Sequence, residues 1–260
     1  MPITSILSFS IPTRTLHLFT LSLFVAAAAF ADEECKSRLS YWGYFGPEQW
    51  KNLPIPDNEC GGERQSPINL PRLTGSRGPV ITVEYTAGDA TIRNTGHDIE
   101  VTPAGNAGGI KIGDKAYTLV KFHFHVPSEH HIVRNDTPAE MHVVHRLNGG
   151  TDYAVIGVML TRGGTYPALE PVFANFPTNV CDKFDKVRID FTKLLTGKLS
   201  YYTYAGSLTT PPCKQNVTWY VLDAPRTIPS SDLAKLCDLG VNARPIQNNS
   251  SPITYVSDPQ

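Results

Sequence analysis

Residues 121–145 read KFHFHVPSEHHIVRNDTPAEMHVVH, and six of the chain's eight histidines fall within them. Phe122, His123, Phe124 and His125 alternate aromatic with imidazole. Successive side chains of a strand point to opposite faces, so this spacing predicts His123 and His125 on one face with Phe122 and Phe124 packed on the other. Pro127 and Asn135-Asp136-Thr137-Pro138 mark a polar connection, and Met141–His145 forms a second apolar run. As an antiparallel neighbour, that run brings one more imidazole beside the first two. Three neutral imidazoles with an open fourth position are the ligand set of a catalytic zinc site.

A lone strand histidine is most often a satisfied core or surface residue, and His130, His131 and His145 are open to that reading. A His-x-His pair set among aromatic residues is harder to explain this way, because two buried imidazoles need partners. His123-x-His125-xxx-Glu129 also fits the opening of a cupin metal site. That pattern requires glycine where this chain has Tyr117 and Asp136, and neither glycine is present.

The remaining sequence suits one large domain: 260 residues, 41% hydrophobic and 18% charged, with no internal repeat or low-complexity tract. A net charge of −1 implies neither nucleic acid nor an anionic membrane surface as partner. Residues 1–31 are of another kind, with Arg14 their only charge and a short apolar run, Leu16 to Phe30. Ala29-x-Ala31 is the small-residue pattern of a signal-peptidase site, so 1–31 reads as a signal peptide and 32–260 as the mature domain. The apolar run is short for the roughly 20 residues of a membrane span. A secreted or periplasm-type location follows, with an organelle lumen as the alternative, since Ser and Thr are common in the segment and acids absent. No other stretch is apolar enough to cross a bilayer.

All five cysteines, Cys35, Cys60, Cys181, Cys213 and Cys237, lie beyond residue 31. In an oxidising compartment an odd number leaves at least one unpaired within the chain, and spacing alone does not assign the bridges. Asn-x-Ser/Thr acceptors at Asn135, Asn216, Asn248 and Asn249 fit an exported glycoprotein. Asn216 opens the apolar run NVTWYVL, so its sequon is expected to be buried and unused.

Strands are expected at Val80–Tyr85, Ala90–Arg93, Ile99–Thr102, Tyr117–Val126, Met141–His145, Ala154–Leu160 and Val217–Leu222, where β-branched and aromatic residues lie between Gly, Pro, Asn and Asp breaks. Two stretches read as helices, Tyr166–Phe176 and Ser230–Leu239, the second with Ser231 as N-cap and Gly240 as stop. Many strands with few helices predict a mainly β fold built on a mostly antiparallel sheet.

The mature chain resembles the alpha-class carbonic anhydrases, and the family's motifs occur in order. They are Tyr41-Trp42-Gly43-Tyr44 with Gly46-Pro47-Glu48-Gln49-Trp50, Gln65-Ser66-Pro67-Ile68-Asn69, Asn94-Thr95-Gly96-His97, and the FHFH strand with Ser128-Glu129-His130. Ala139–His145, Gly206–Cys213 and Asn242–Gln247 complete the set. The resemblance implies one large twisted, largely antiparallel sheet with Zn2+ at the base of a conical cleft, its ligands being His123, His125 and His142. It makes Glu129 not a ligand but the group that fixes the Thr209 hydroxyl. It also implies a Cys60–Cys213 bridge, His97 as proton shuttle, Val144, Val155, Leu208 and Trp219 as an apolar substrate wall, and Thr210 as a bicarbonate contact. Glu140 and Asn242 stand behind the ligands. The implied activity is reversible hydration of carbon dioxide by attack of zinc-bound hydroxide, open to anionic and sulfonamide-type inhibitors. An alternative is an exported storage or binding protein on the same fold.

The chemistry stands beside the resemblance. Zinc lowers the pKa of a bound water to about 7, a value established on carbonic anhydrase itself. If Glu129 accepts the Thr209 proton, the Thr209 oxygen can only accept, which orients the hydroxide. Glu140 and His142 are two apart on one strand, so Glu140 can accept the ring's other N–H. His97 follows an expected bend where histidine is tolerated for conformational reasons; an ordinary pKa near 6.5 suits it to carry protons. Of the other cysteines, Cys181 and Cys237 lie near the expected helices and form the expected second pair. Cys35 is then a free thiol or an intermolecular link, giving a monomer or a Cys35-linked dimer. One departure lies close to the metal: Lys121 stands where the family usually has Gln. With three donors and no acceptor, a protonated lysine cannot hold the His123 ring. Its ammonium either favours anions in the cleft and lowers the pKa of the bound water, or reaches out to solvent and does neither.

Overall fold

The computed structural model describes residues 43, 44 and 46–259. The expected signal segment, Cys35 and the Tyr41-Trp42 part of the aromatic cluster lie outside the described residues. Among the described residues the strands are β1 (Asn69–Leu70), β2 (Ser76–Gly78), β3 (Ile81–Tyr85), β4 (Ala87–Asn94), β5 (Ile99–Pro103), β6 (Gly108–Ile112), β7 (Lys115–His125) and β8 (His131–Ile132). They continue with β9 (Ala139–Leu147), β10 (Tyr153–Arg162), β11 (Lys183–Asp190), β12 (Tyr201–Gly206), β13 (Val217–Leu222), β14 (Arg226–Ile228) and β15 (Thr254–Pro259). Thirteen of these form one sheet, ordered β11-β4-β5-β7-β9-β10-β13-β12-β15-β2. Strands β6 and β3 branch from β7, β14 lies against β10, and β1 and β8 form a separate pair. The expected antiparallel pairing dominates, with parallel contacts at β10–β13, β10–β14 and β15–β2 and in the separate β1–β8 pair.

Every expected strand is present, most of them extended by one or more residues at their ends. Eight further strands were not expected: the short β1, β2, β8 and β14, and the longer β6, β11, β12 and β15. β11 lies at the sheet edge, paired only with β4, and six of its eight residues are exposed, so KFDKVRID carries no alternation to read. The helix expected at Tyr166–Phe176 is only Glu170–Ala174, with Pro171 in its first turn, where a missing N–H costs nothing. The second helix is Ser230–Cys237; its N-cap is Pro229 without a side-chain cap, not Ser231. Gly240 follows at φ 89°, the left-handed residue beyond a helix end. Among the described residues no helix is long and apolar enough to cross a membrane.

Period-two alternation sorts the central strands into two faces. Phe122, Phe124, Met141 and Val143 enter the larger core, with Phe124 packed on Phe173 at 5.9 Å and Phe122 near Phe191 at 6.5 Å. Fully burying each such side chain contributes about 1.5–3 kcal/mol. The opposite face carries His123, His125, Glu140, His142 and Val144. The register places His123 directly opposite His142 on β9, as the antiparallel reading requires.

His145 falls on the core face and is fully buried. One ring nitrogen faces Ala154 O at 3.2 Å, and the other meets the Tyr85 hydroxyl at 2.5 Å, so a neutral ring satisfies both. Burial holds its pKa down to about 4. Between that value and the ordinary 6.5 the unfolded chain binds a proton that the native state refuses. Stability is therefore lost as pH falls through this window, by about 1.4 kcal/mol per pH unit. His145→Gln should accordingly lose about 2 kcal/mol less than the parent between pH 6.5 and 4.5, read from urea midpoints. Equal losses in the two proteins would show that this ring does not titrate on unfolding.

Candidate metal centre

Strand β7 supplies His123 and His125, and β9 supplies His142. One nitrogen from each lies within 4.8 Å of the others, and all three side chains are buried. Ring centroids stand 4.6–5.3 Å apart. Two of the rings are oriented from behind. His125 gives Nδ1–H to Asn242 O at 2.8 Å, which leaves Nε2 as the lone-pair nitrogen; that atom is buried and has no hydrogen-bond partner. His142 gives Nε2–H to Glu140 Oε1 at 2.9 Å, leaving Nδ1 free to coordinate. Burial first, then the neighbouring imidazoles, push His125 down to about 3 and His123 well below 6.5. His142 is also lowered by burial, against the pull of Glu140. The rings are thus neutral at pH 7, the form a metal requires. A cluster of buried lone pairs without protein donors fits a small divalent cation with nitrogen preference, and zinc suits three histidines.

Glu140 is held on every side. Its Oε1 accepts from His130 Nδ1 at 2.8 Å as well as from His142, and its Oε2 accepts the backbone N–H groups of Glu129 and His130 at 2.9 and 2.8 Å. Burial would push this carboxyl up, but the two imidazoles and their hydrogen bonds outweigh it and hold it well below the carboxylate range. Gly157 lies opposite His142 on β10; a Cβ there would sit 2.7 Å from Glu140 Oε1, so only glycine leaves room for the carboxylate. His130 meets the Tyr204 hydroxyl at 2.7 Å, which in turn meets Ser66 Oγ at 2.9 Å. His130 is therefore a fully buried partner of Glu140 and not a surface histidine. Sequence reading missed the roles of Tyr204, Ser66 and Gly157, whose partners lie far off along the chain. The Ser128-Glu129-His130 triplet was the one local signal for His130.

Asn242 threads this side of the site. Its Oδ1 accepts Val126 N–H at 2.7 Å, and its Nδ2 donates to Phe124 O at 2.9 Å and His97 O at 2.8 Å. One residue thereby fixes both the His125 ring and the segment carrying His97. His97 sits in a bend in which Asn94 Oδ1 accepts Gly96 N–H and Thr95 Oγ1 accepts from His97 and Asp98. It is half-buried, which lowers its pKa from 6.5.

Glu129 is fully buried, and burial pushes its carboxyl well above the usual range, against Thr209 and Arg244. Its Oε1 accepts Arg244 N–H at 2.8 Å. The Thr209 hydroxyl acts on the same carboxyl, although Oε2 has no fully formed hydrogen bond. The buried Arg244 guanidinium donates to Gln65 Oε1 at 2.9 Å and to Ser66 O at 2.8 Å, and lies over the Trp50 ring at 5.4 Å. Ser66 and Ser207 bond reciprocally at 2.9 and 3.0 Å, clamping the start of the Thr209 loop. Val144, Val155 and Trp219 are register partners on β9, β10 and β13, with Leu208 packed against them. The Trp219 ring stands 4.7 Å from that of His142. Thr210 is half-buried, its carbonyl accepting Cys213 N–H at 2.9 Å. The Lys121 ammonium pairs with Glu100.

Cys60 and Cys213 form the expected bridge, with Cα atoms 4.8 Å apart. The expected Cys181–Cys237 pair is wrong. Cys181 is disulfide-bonded, whereas Cys237 is a free, exposed thiol at the end of its helix. Nearness to expected helices did not mean nearness in space. Of the sequons, Asn216 Nδ2 is engaged by Thr151 O and Asn249 Nδ2 by Gln65 O and Ala205 O, while Asn135 and Asn248 are exposed.

This arrangement has close counterparts. A family model described as eukaryotic-type carbonic anhydrase matches residues 45–258. A carbonic anhydrase of Neisseria gonorrhoeae is 34% identical over 90% of this chain and 94% of its own length. Alpha carbonic anhydrase 7 of Arabidopsis thaliana is 34% identical over 93% of each chain. The alpha-carbonic anhydrase of Thermovibrio ammonificans, solved with the inhibitor sulfanilamide, superposes with a TM-score of 0.75 at 35% identity, covering 82% of this chain and 97% of that one. Dioscorin, crystallised with ascorbate, gives a TM-score of 0.74 at 31% identity, covering 81% of this chain and 93% of that one. By sequence and by fold alike, this chain belongs to the alpha carbonic anhydrase family.

Proposed function

We propose that the protein catalyses the reversible hydration of carbon dioxide to bicarbonate and a proton, with zinc held by His123, His125 and His142. The observation that carries this reading is the set of three buried, neutral imidazoles converging from adjacent strands, two with tautomers fixed from behind. Zinc, when bound, would supply the Lewis acidity that lets water ionise near neutral pH. The remaining work falls to the chain. Three neutral ligands leave the cation's charge undiminished. With its proton directed to Glu129, Thr209 offers only an acceptor, so the attacking oxygen donates to it and turns a lone pair to the substrate. The wall of Val144, Val155, Leu208 and Trp219 suits a substrate without a dipole, and Thr210 contacts bicarbonate. Half-buried His97 is neutral at pH 7 and can take the proton outward. Anionic and sulfonamide-type inhibitors should bind at the metal. The Cys60–Cys213 bridge supports an oxidising compartment reached through the 1–31 segment.

The likeness to dioscorin favours a second reading, an exported binding protein. Zinc content and carbon dioxide hydration, measured on one preparation, separate the two: one zinc per chain with hydration supports the enzyme, and zinc-free, inactive protein rejects it. Thr209→Ala should keep zinc and lose roughly 10²-fold in turnover. His97→Ala should slow turnover mainly in weak buffer, with small imidazole buffers restoring the rate. Insensitivity to buffer would send the proton by another route.

A further inference from the structure

The three ligand rings are not held alike. His125 and His142 each donate to an acceptor behind them, but His123 Nδ1 is buried and meets none. The residue placed to supply one is Glu100, the direct partner of His123 across the β5–β7 ladder. Cross-strand partners share a face, with Cβ atoms about 5 Å apart. The Glu100 carboxylate is instead engaged elsewhere. Lys121 Nζ pairs with Oε2, and Thr102 Oγ1 donates to Oε1 at 3.1 Å. The pair is sheltered, with side chains only 34% and 25% exposed, so the lysine does not reach out to solvent.

We propose that Lys121 is a positioning residue that acts through Glu100. By drawing the carboxylate away from His123, it leaves that ring the loosely oriented ligand and sets how readily the protein releases its metal. The inference rests on the zinc reading above and deepens it. If Nε2 is the nitrogen given to the metal, the His123 proton sits on Nδ1, where no protein group accepts it. A carboxylate or amide behind a ligand imidazole fixes its orientation and raises its basicity, and losing one typically costs 10- to 100-fold in metal affinity. Here the gain should be recoverable by freeing, or supplying, an acceptor.

The test is the rate at which zinc-loaded protein gives up its metal to an excess of chromogenic chelator, with no activity measurement. Lys121→Met keeps the side-chain length and frees Glu100, whereas Lys121→Gln brings an amide oxygen of its own. Each should slow zinc release by roughly 10- to 100-fold. In a Glu100→Val background, Lys121→Met should return to the wild-type rate while Lys121→Gln stays slow. Wild-type release rates in both single variants overturn the proposal. Slow release by Lys121→Met that persists without Glu100 overturns the part assigned to Glu100. Metal content before chelator is added checks the underlying reading separately, since a wild-type protein that takes up no zinc overturns both.

Discussion

Replacing His142 with alanine is expected to strip the metal and, with it, the activity. The substitution removes one of three nitrogens and also empties a contact of Glu140, a buried carboxylate whose Oε1 is shared between His142 and His130. The loss should exceed the roughly 10- to 100-fold in affinity that follows from removing a group behind a ligand. After dialysis against buffer, metal analysis should find the variant essentially zinc-free where the parent holds one equivalent, with hydration reduced in parallel. Glu140→Gln should lie between the two, since it keeps the shape but loses the charge that fixes the ring. A zinc-replete, fully active His142→Ala protein would remove the assignment of the centre altogether.

The second large effect concerns the Cys60–Cys213 bridge. It spans 153 residues and ties the Thr209 loop to the segment before Gln65. In the chain-entropy picture, closing so long a loop contributes about 5 kcal/mol, an upper figure that native strain would reduce. For a domain of this size the Cys60→Ser/Cys213→Ser pair should lower Tm by about 10–20 °C. Zinc should remain bound below the new midpoint, because the candidate ligands lie on β7 and β9, away from the bridge. A Tm within a degree or two of the parent would mean that the reciprocal Ser66–Ser207 bonds and Arg244 already hold the loop.

What could be read from the sequence was whatever announces itself locally. Phe122-His123-Phe124-His125 declares both its strand and its two faces, and Glu140-x-His142 declares a carboxylate beside a ligand. Strands whose apolar residues alternate against a core were found, while β11 hid behind exposed lysines and aspartates at the sheet edge and β12 behind tyrosines. Interactions across long separations left no local mark, and the Cys60–Cys213 bridge was expected from the family resemblance alone. Nothing near Arg244 foretells Gln65, and nothing near Tyr204 foretells His130. His130 itself was open to reading as an ordinary histidine because its value lies in what it holds. The misassigned Cys181–Cys237 pair failed for the same reason, since proximity in three dimensions cannot be taken from proximity to helices.

Asn242 and Arg244 also bear on how the molecule is made. A growing chain emerges from its N-terminal end, so all three candidate ligands, Glu129, Thr209 and the Trp219 wall are present before either anchor exists. Until residue 242 arrives, the His125 ring has no carbonyl behind it and His97 has no tether. Until residue 244 arrives, Glu129 lacks the N–H on its buried oxygen, and Gln65 and Ser66 lack their guanidinium. The ribosome therefore delivers the donors early and the keystones late. The hydrogen-bonded support behind the candidate centre is complete only in the finished polypeptide, not in the nascent one.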